Sequence, residues 1–547
     1  MNLWLQHLPI LPIVVPLTAG AALLLLPESH RAARLTLAVI SMLVQFAAAA
    51  GLLYLTSDAT SQAWPADTAV YRIGGWPPPF GIVLVVDRLA AIMVALSATI
   101  ALSVLVYSIA RWDRPGQPFH ALLQFLAMGL NGAFLTGDLF NLFVFFEVLL
   151  AASYGLVLRG AGTVRVRAGL HYIAVNLAAS LLFLTGVALI YGVTGTLNMA
   201  DLTVHAGLLS GPARILFDTG AAILGVAFLV KAASWPLNFW LPDTYSAAIE
   251  PVAAVFVMLT KVGIYALLRL GTLLSLNEAA ASTLQTALFG IGLATLAAGM
   301  NGMLGAQRLV RLISHSVIVS TGILLAAFGL GIEALTAPAL FYLITSALAS
   351  GIFFMLAGMT ARMRPHDTQH ARPVAMPSPP YVAYGIREPD AYDTGDEVGV
   401  AIPAPMAFLG LVFVCCVLLV TGLPPLPGFV AKFMLLSTAL NAAPGAISTW
   451  LLIASVIAAG LAGLVALTRM GSGIFWAVTE RATPRLRLLE AAPVAALVIF
   501  CFALAAHPGP VMNYLESAAR SLHEPQTYIR AILPEKTGSD RPGTPAP

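Results

Sequence analysis

Three lysines stand where lysine is expensive. Residues 226–270 read VAFLVKAASWPLNFWLPDTYSAAIEPVAAVFVMLTKVGIYALLRL, with Lys231 and Lys261 each alone in an apolar run long enough to enter a bilayer. Lys432 occupies a third such run, GFVAKFMLL. A lysine at membrane depth costs about 2.5–3.5 kcal/mol on insertion scales, so it is kept for a partner or a task. Only four of the 28 basic residues are lysine, and the fourth, Lys536, lies in the polar tail. Arginine stays charged, whereas a desolvated lysine is able to release its proton. The loops use the permanent cation and the membrane uses the titratable one. That division points to protons.

A counter-charge lies upstream. GDLFNLFVFFEVLL, residues 137–150, places Glu147 deep in an aromatic run, with Asp138 and Asn141 near its start. A carboxylate paired with Lys231 would remain ionised, whereas a lone buried one would take up a proton. A fixed ion pair between packed helices is the structural alternative, but buried pairs are weak evidence for stability. Ionisable groups inside a membrane are functional by default. Asp138, closer to the boundary, is expected to cap a helix or contact a loop. His315, in LISHSV, suits proton exchange between the lysine runs because the ordinary imidazole titrates near neutral pH. His120, His171 and His205 sit at span ends, where an interfacial position accounts for them.

These side chains need elements to hold them. The apolar runs give about fourteen spans, near 8–26, 34–55, 84–109, 119–136, 139–158, 169–193, 215–234, 247–270, 283–303, 309–331, 338–361, 405–424 with its broken continuation from 429, the remainder up to 468, and 489–506. The expected fold is an all-α polytopic membrane protein. Spans seven and twelve are broken: the first at Trp235-Pro236 through Leu241-Pro242, the second at LPPLPG, residues 423–428, which includes Pro425. Proline removes a backbone donor, and freed carbonyls at membrane depth survive only where protein or water satisfies them. Each break lies beside a buried lysine. Spans four to eight and nine to thirteen therefore read as two copies of one five-span unit, and an odd repeat inverts the second copy.

The chain divides into an N-terminal three-helix segment (1–110), a first repeat (119–270), a second repeat (283–468) and a last helix with its tail (489–547). Gly-Gly and proline clusters in 71–80 mark a tight turn or small hairpin outside the membrane. The polar stretch 362–404 reads as an irregular linker, the piece from Val511 to His523 is amphipathic, and the terminal GSDRPGTPAP reads as disordered. Arginine crowds the loops after odd-numbered spans, such as Arg31 and Arg34, Arg165 and Arg167, or Arg308 and Arg311. Those loops are expected in the cytoplasm, with both termini outside and the chain in a bacterial inner membrane. Trp112, Trp240 and Trp450 read as interface anchors.

With 59% hydrophobic and 10% charged residues, the composition excludes an ordinary soluble domain, and a net charge of +3 gives no reason to invoke nucleic acid. Cys415, Cys416 and Cys501 all fall in apolar runs, so no disulfide framework is implied. No phosphate loop, dinucleotide fingerprint or metal spacing is present in the sequence, and no cofactor, metal site or catalytic residue is expected.

GDLFNLFVFFEVLL, VKAASWPLNFWLPDTYSAA, VAAVFVMLTKVGIYALLRL and GLPPLPGFVAKF together resemble the D-type subunits of Mrp/Pha multisubunit cation/proton antiporters. These subunits form part of a larger antiporter-like group shared with respiratory complex I. The likeness spans roughly residues 70–470, and YRIGGWPPPFGIVLVVDRLAAIM matches the Pha-type branch. It implies fourteen helices, two inverted repeats and a proton path at mid-membrane. Glu147 and Lys231 would be the ion pair, Lys261 the central relay, His315 an intermediate and Lys432 the residue near the exit. Pro236 and Pro425 would support the path from the two breaks. Thr345 stands where many relatives carry a histidine, which implies a relay step through water or a hydroxyl, and Glu250 stands where a neutral residue is expected. The implied partners are other subunits of a hetero-oligomer, the lipid bilayer, protons and Na+ or K+. The alternative is a proton-pumping subunit of a complex I-like or hydrogenase assembly, and a scaffold that uses the charges only to hold partners is least favoured.

Overall fold

The computed structural model describes residues 6–57, 68–112, 118–160, 162–274, 278–363, 403–476 and 485–533. Most of the 362–404 linker, the GSDRPGTPAP end and Lys536 lie outside these residues. Among the described residues thirteen helices are long and apolar enough to cross a membrane, and the 17-residue Phe119–Leu135 brings the number of apolar spans to the fourteen expected. Helices dominate because a chain in lipid must satisfy its backbone polar groups internally.

In chain order the first half holds α1 (Leu11–Leu25), α2 (Arg31–Leu55), α3 (Arg88–Ile109), α4 (Phe119–Leu135), α5 (Leu139–Val157), α6 (Thr163–Thr194), α7 (Met199–Leu208), α8 (Gly211–Lys231), α9 (Trp240–Ala247) and α10 (Glu250–Leu274). The second half holds α11 (Glu278–Gly305), α12 (Leu309–Gly329), α13 (Thr336–Thr360), α14 (Ala404–Thr421), α15 (Pro427–Ala442), α16 (Ile447–Gly471), α17 (Leu488–Ala506), α18 (Pro508–His523) and α19 (Pro525–Ile532). Both expected breaks are present. Span seven is α8 followed by the short α9, and span twelve is α14 followed by α15.

Helix starts follow local chemistry. The Asp87 carboxylate accepts from Ala90 N at 2.8 Å to open α3, and Asp138 accepts from Asn141 N at 2.9 Å to open α5. Asn198 opens α7 by accepting from Ala200 N and Asp201 N. Such side chains satisfy donors that a first turn leaves unpaired. The third span begins later than its apolar run suggests. Val83–Val86 forms strand β2, antiparallel to β1 (Ala69–Arg72), with Ala69 opposite Val86 and Arg72 opposite Val83. The β-branched run favours a strand, and the Asp87 cap then fixes where the helix starts.

Burial separates core from periphery. Within the most apolar window, α10 is 94% buried and α12 is 89% buried, against 33% for α8 and α16. The span containing α13 is as enclosed as α12, and α3 packs beside them. The helices carrying Lys261, His315 and Thr345 are therefore the inner ones. The amphipathic tail spends its apolar face on protein: Met512, Leu515, Ala518 and Leu522 of α18 are buried, and α18 packs on α3, α10 and α13.

Candidate functional site

The first break ends α8 with Lys231 at its last turn, and the Phe228, Leu229 and Val230 carbonyls of that turn are satisfied within the break. Ala232 N donates to Phe228 O at 2.8 Å, and Ala233 adopts a left-handed conformation with φ 55°. Ser234 returns both its N–H and its hydroxyl to Leu229 O, at 3.1 and 3.0 Å. Trp235 N donates to Thr295 Oγ1 at 2.8 Å, which ties the break to α11. Pro236, next to it, is exposed. Trp240 is no interface anchor: it is 1% exposed, and its indole N–H donates to Val230 O at 3.2 Å. The Val230 carbonyl, which also accepts from Ala233 N at 3.0 Å, holds the indole inward beside Lys231. His120, expected at an interface, is likewise buried. Gly263 of α10 permits close contact here, since a Cβ would lie 2.7 Å from Ala232 N and 2.9 Å from Phe228 O.

Lys231 is 5% exposed, and its Nζ has no hydrogen-bond partner among the described residues. It lies 4.8 Å from the centroid of the Phe146 ring, a cation–π contact. Glu147 follows Phe146 on α5. It is half-buried with one carboxylate oxygen enclosed and unbonded, and its charge acts on Lys231. No contact ion pair joins Glu147 to Lys231 among the described residues; the two are neighbours held apart.

Lys261 is fully buried, and its Nζ donates to Ser320 Oγ of α12 at 2.6 Å. Ser320 in turn donates to Val317 O at 2.9 Å, so its oxygen is directed at the lysine. Sequence reasoning missed Ser320. The available signal was its position, five residues beyond His315 on the same span. His315 is half-buried, with Nδ1 enclosed and unbonded against Gly302 of α11. The Arg311–Asp243 pair, at 3.3 Å, joins α12 to α9 beside it, and both charges act on the imidazole. The buried Thr345 hydroxyl donates to Tyr342 O at 3.1 Å, within its own helix.

Lys432 is 7% exposed and serves the second break differently. Its Nζ donates to Val420 O and Thr421 O, both at 2.9 Å, which sets a cation at the carbonyl end of α14. Gly422 follows with φ 78°, and a Cβ there would lie 2.5 Å from Lys432 Cδ. Pro425 lies in the exposed turn between α14 and α15.

Two further ionic clusters cap the ends of this core. Arg269, two turns beyond Lys261 on α10, donates to Asp87 Oδ2 at 2.5 Å and Oδ1 at 2.7 Å, between the rings of Tyr265 and Tyr528. At the other end Glu490 is 1% exposed and bound by Arg362 at 3.0 Å and Arg111 at 2.6 Å. Outside the spans, burial raises the Asp138 carboxyl against the pull of two backbone donors and raises the Tyr528 hydroxyl. No cluster of three metal-binding side chains occurs among the described residues.

This largely helical chain has counterparts among known proteins. The family model described as NADH:quinone oxidoreductase/Mrp antiporter, TM, matches residues 136–381. The D-type subunit of a probable K(+)/H(+) antiporter in Rhizobium meliloti (strain 1021) is 48% identical, covering 97% of this chain and 98% of its own. The chain belongs to the family of antiporter D-type subunits. Another member, from the Na(+)/H(+) antiporter of Alkalihalophilus pseudofirmus (strain ATCC BAA-2126 / JCM 17055 / OF4), is 32% identical over 97% of this chain and 100% of its own. A chain of the Mrp complex from Dietzia sp. DQ12-45-1b superposes with a TM-score of 0.76 at 25% identity, covering 97% of this chain and 100% of that one. As a member of that family, the chain is a multi-pass membrane transporter subunit.

Proposed function

We propose that this subunit carries protons across the membrane for a multisubunit K+ or Na+/proton antiporter, along Glu147, Lys231, Lys261, His315 and Lys432. One observation carries the reading. Three lysines are buried in the spans, and none forms a contact ion pair with a carboxylate among the described residues. A lysine kept only for packing would need its charge neutralised by a fixed partner. Here Lys231 has a ring and a separated carboxylate, Lys261 a hydroxyl, and Lys432 the end of a helix. Each environment suits a charge that comes and goes.

Glu147 and Lys231 form the switch. When the carboxylate approaches, it holds the ammonium in place; when they separate, the proton is free to move towards Lys261. Such a switch needs two arrangements, and the bend at Ala233 to Pro236 gives span seven a place to move between them. Thr345 leaves a step to a hydroxyl or water. The arginine-rich loops face the cytoplasm, and both termini face outward. Companion subunits complete the complex, and the relatives' names favour K+ or Na+ as the exchanged ion.

An electron-driven pump is the second reading, since the matched family model also names NADH:quinone oxidoreductase. Near full-length identity of 48% to a relative named for antiport favours the first. Inverted vesicles holding the assembled complex separate them: adding K+ or Na+ should collapse a preset pH gradient without electron donors. A gradient that responds only to an electron donor would reverse the assignment.

A further inference from the structure

Glu250 opens α10, the helix that carries Lys261 eleven residues later, about 16 Å along the axis at 1.5 Å per residue. It is half-buried at the arginine-rich end of the core. Gly358 of α13 makes room for it: a Cβ there would meet Glu250 Cγ at 2.7 Å and Tyr107 Oη at 2.8 Å. The charges of Arg165 and Arg362 reach Glu250, yet both arginines are bonded elsewhere. Arg362 gives Nη1 and Nη2 to Glu490 at 3.0 Å each and Nε to Gly358 O at 3.2 Å. Arg165 gives Nε to Ala247 O and Nη1 to Arg159 O, each at 2.7 Å. The Tyr107 hydroxyl donates to Met355 O at 3.0 Å.

Two carboxylates thus share one neighbourhood with opposite treatment. Glu490 is enclosed and saturated with guanidinium donors, as a structural carboxylate should be. Glu250 accepts no hydrogen bond from another side chain among the described residues, and it keeps contact with the surface. Further in, α10 and α13 approach closely, since a Cβ on Gly351 of α13 would lie 3.9 Å from Ala254 O of α10.

We propose that Glu250 takes up protons at the arginine-rich face and supplies them to Lys261. The carboxylate binds a proton from water to become a neutral carboxyl. It then returns that proton through water in the α10–α13 seam to the neutral Lys261 amine, leaving an ammonium and the original carboxylate. Tyr107 of α3, Arg165 of α6 and Arg362 just past α13 are the titratable or charged groups that face it, with Glu490 of α17 bound behind Arg362. The inference rests on the relay reading above.

Inverted vesicles with the whole complex set the pH at this face directly. Glu250→Gln should assemble in normal amount and exchange at a near-normal rate at about pH 6.5, then lose rate several-fold by about pH 8.5, where loading becomes limiting. Glu250→Asp should recover most of that loss. An unchanged pH profile, a loss equal at every pH, or loss of assembled protein would overturn the assignment. Lys261→Ala run in parallel separates the failures: if it stays active, the relay itself fails; if it is inactive while Glu250→Gln matches wild type, only the uptake role fails.

Discussion

At the scale of single residues, the arrangement of Glu147 and Lys231 makes the sharpest demand. Their side chains are close enough to interact electrostatically but are not bonded, and Phe146 holds the ammonium by its ring face. A switch predicts that Glu147→Gln assembles normally yet loses exchange more than tenfold, about 1.4 kcal/mol or more of barrier. Glu147→Asp keeps the charge with a shorter reach and should retain partial exchange with a displaced pH profile. A fixed structural pair predicts instead that both variants mainly reduce assembled protein. Expression and exchange rate against pH, measured for both, distinguish these. The ionisable residues were legible because an apolar run exposes any charge within it. Ser320, Trp240 and the Asp87–Arg269 pair were not, because their roles arise between helices: Asp87 and Arg269 are 182 positions apart.

Among the elements, the two broken spans use their lysines in different ways, and the second depends on one glycine. Gly422 combines a left-handed φ with no room for a Cβ beside Lys432. Gly422→Ala should cost about 1–2 kcal/mol in backbone conformation alone and push Lys432 off the carbonyls of α14. The expected result is lower thermal stability with most exchange lost, while Gly445→Ala, where nothing lies within 4 Å, should behave as wild type. The breaks were visible from their prolines; the extra helices α7 and α9 were too short to stand out. Nearer the tail, His523 closes α18 onto α13 by Nε2 to Thr336 Oγ1 at 2.9 Å, with Glu333 3.9 Å from Nδ1. Burial lowers the His523 imidazole from its ordinary value, and Glu333 opposes the shift. The fold therefore favours neutral His523. Its contribution is full above about pH 6.5 and is lost as pH falls through the lowered value. Hydrogen-exchange protection of Pro508–Ile532, corrected for intrinsic rates, should fall on acidification, and His523→Asn should remove that dependence.

For the whole molecule, the fold places the most charged chemistry on its most enclosed helix. Along α10 run Glu250, Lys261 and Arg269, in contact respectively with the arginine-rich end, α12 through Ser320, and the far end through Asp87. Span number and class were readable because lipid leaves the backbone so few choices. Which spans form the centre was not, since apolar runs facing lipid and protein look alike. The central claim is that Lys261 carries protons between the two halves. Removing its charge should ease folding, because burying it is costly. The most direct test is cation-driven collapse of a pH gradient in inverted vesicles bearing Lys261→Ala in the assembled complex. Complete loss of exchange with wild-type assembly is predicted; near-normal exchange at normal expression would contradict the account.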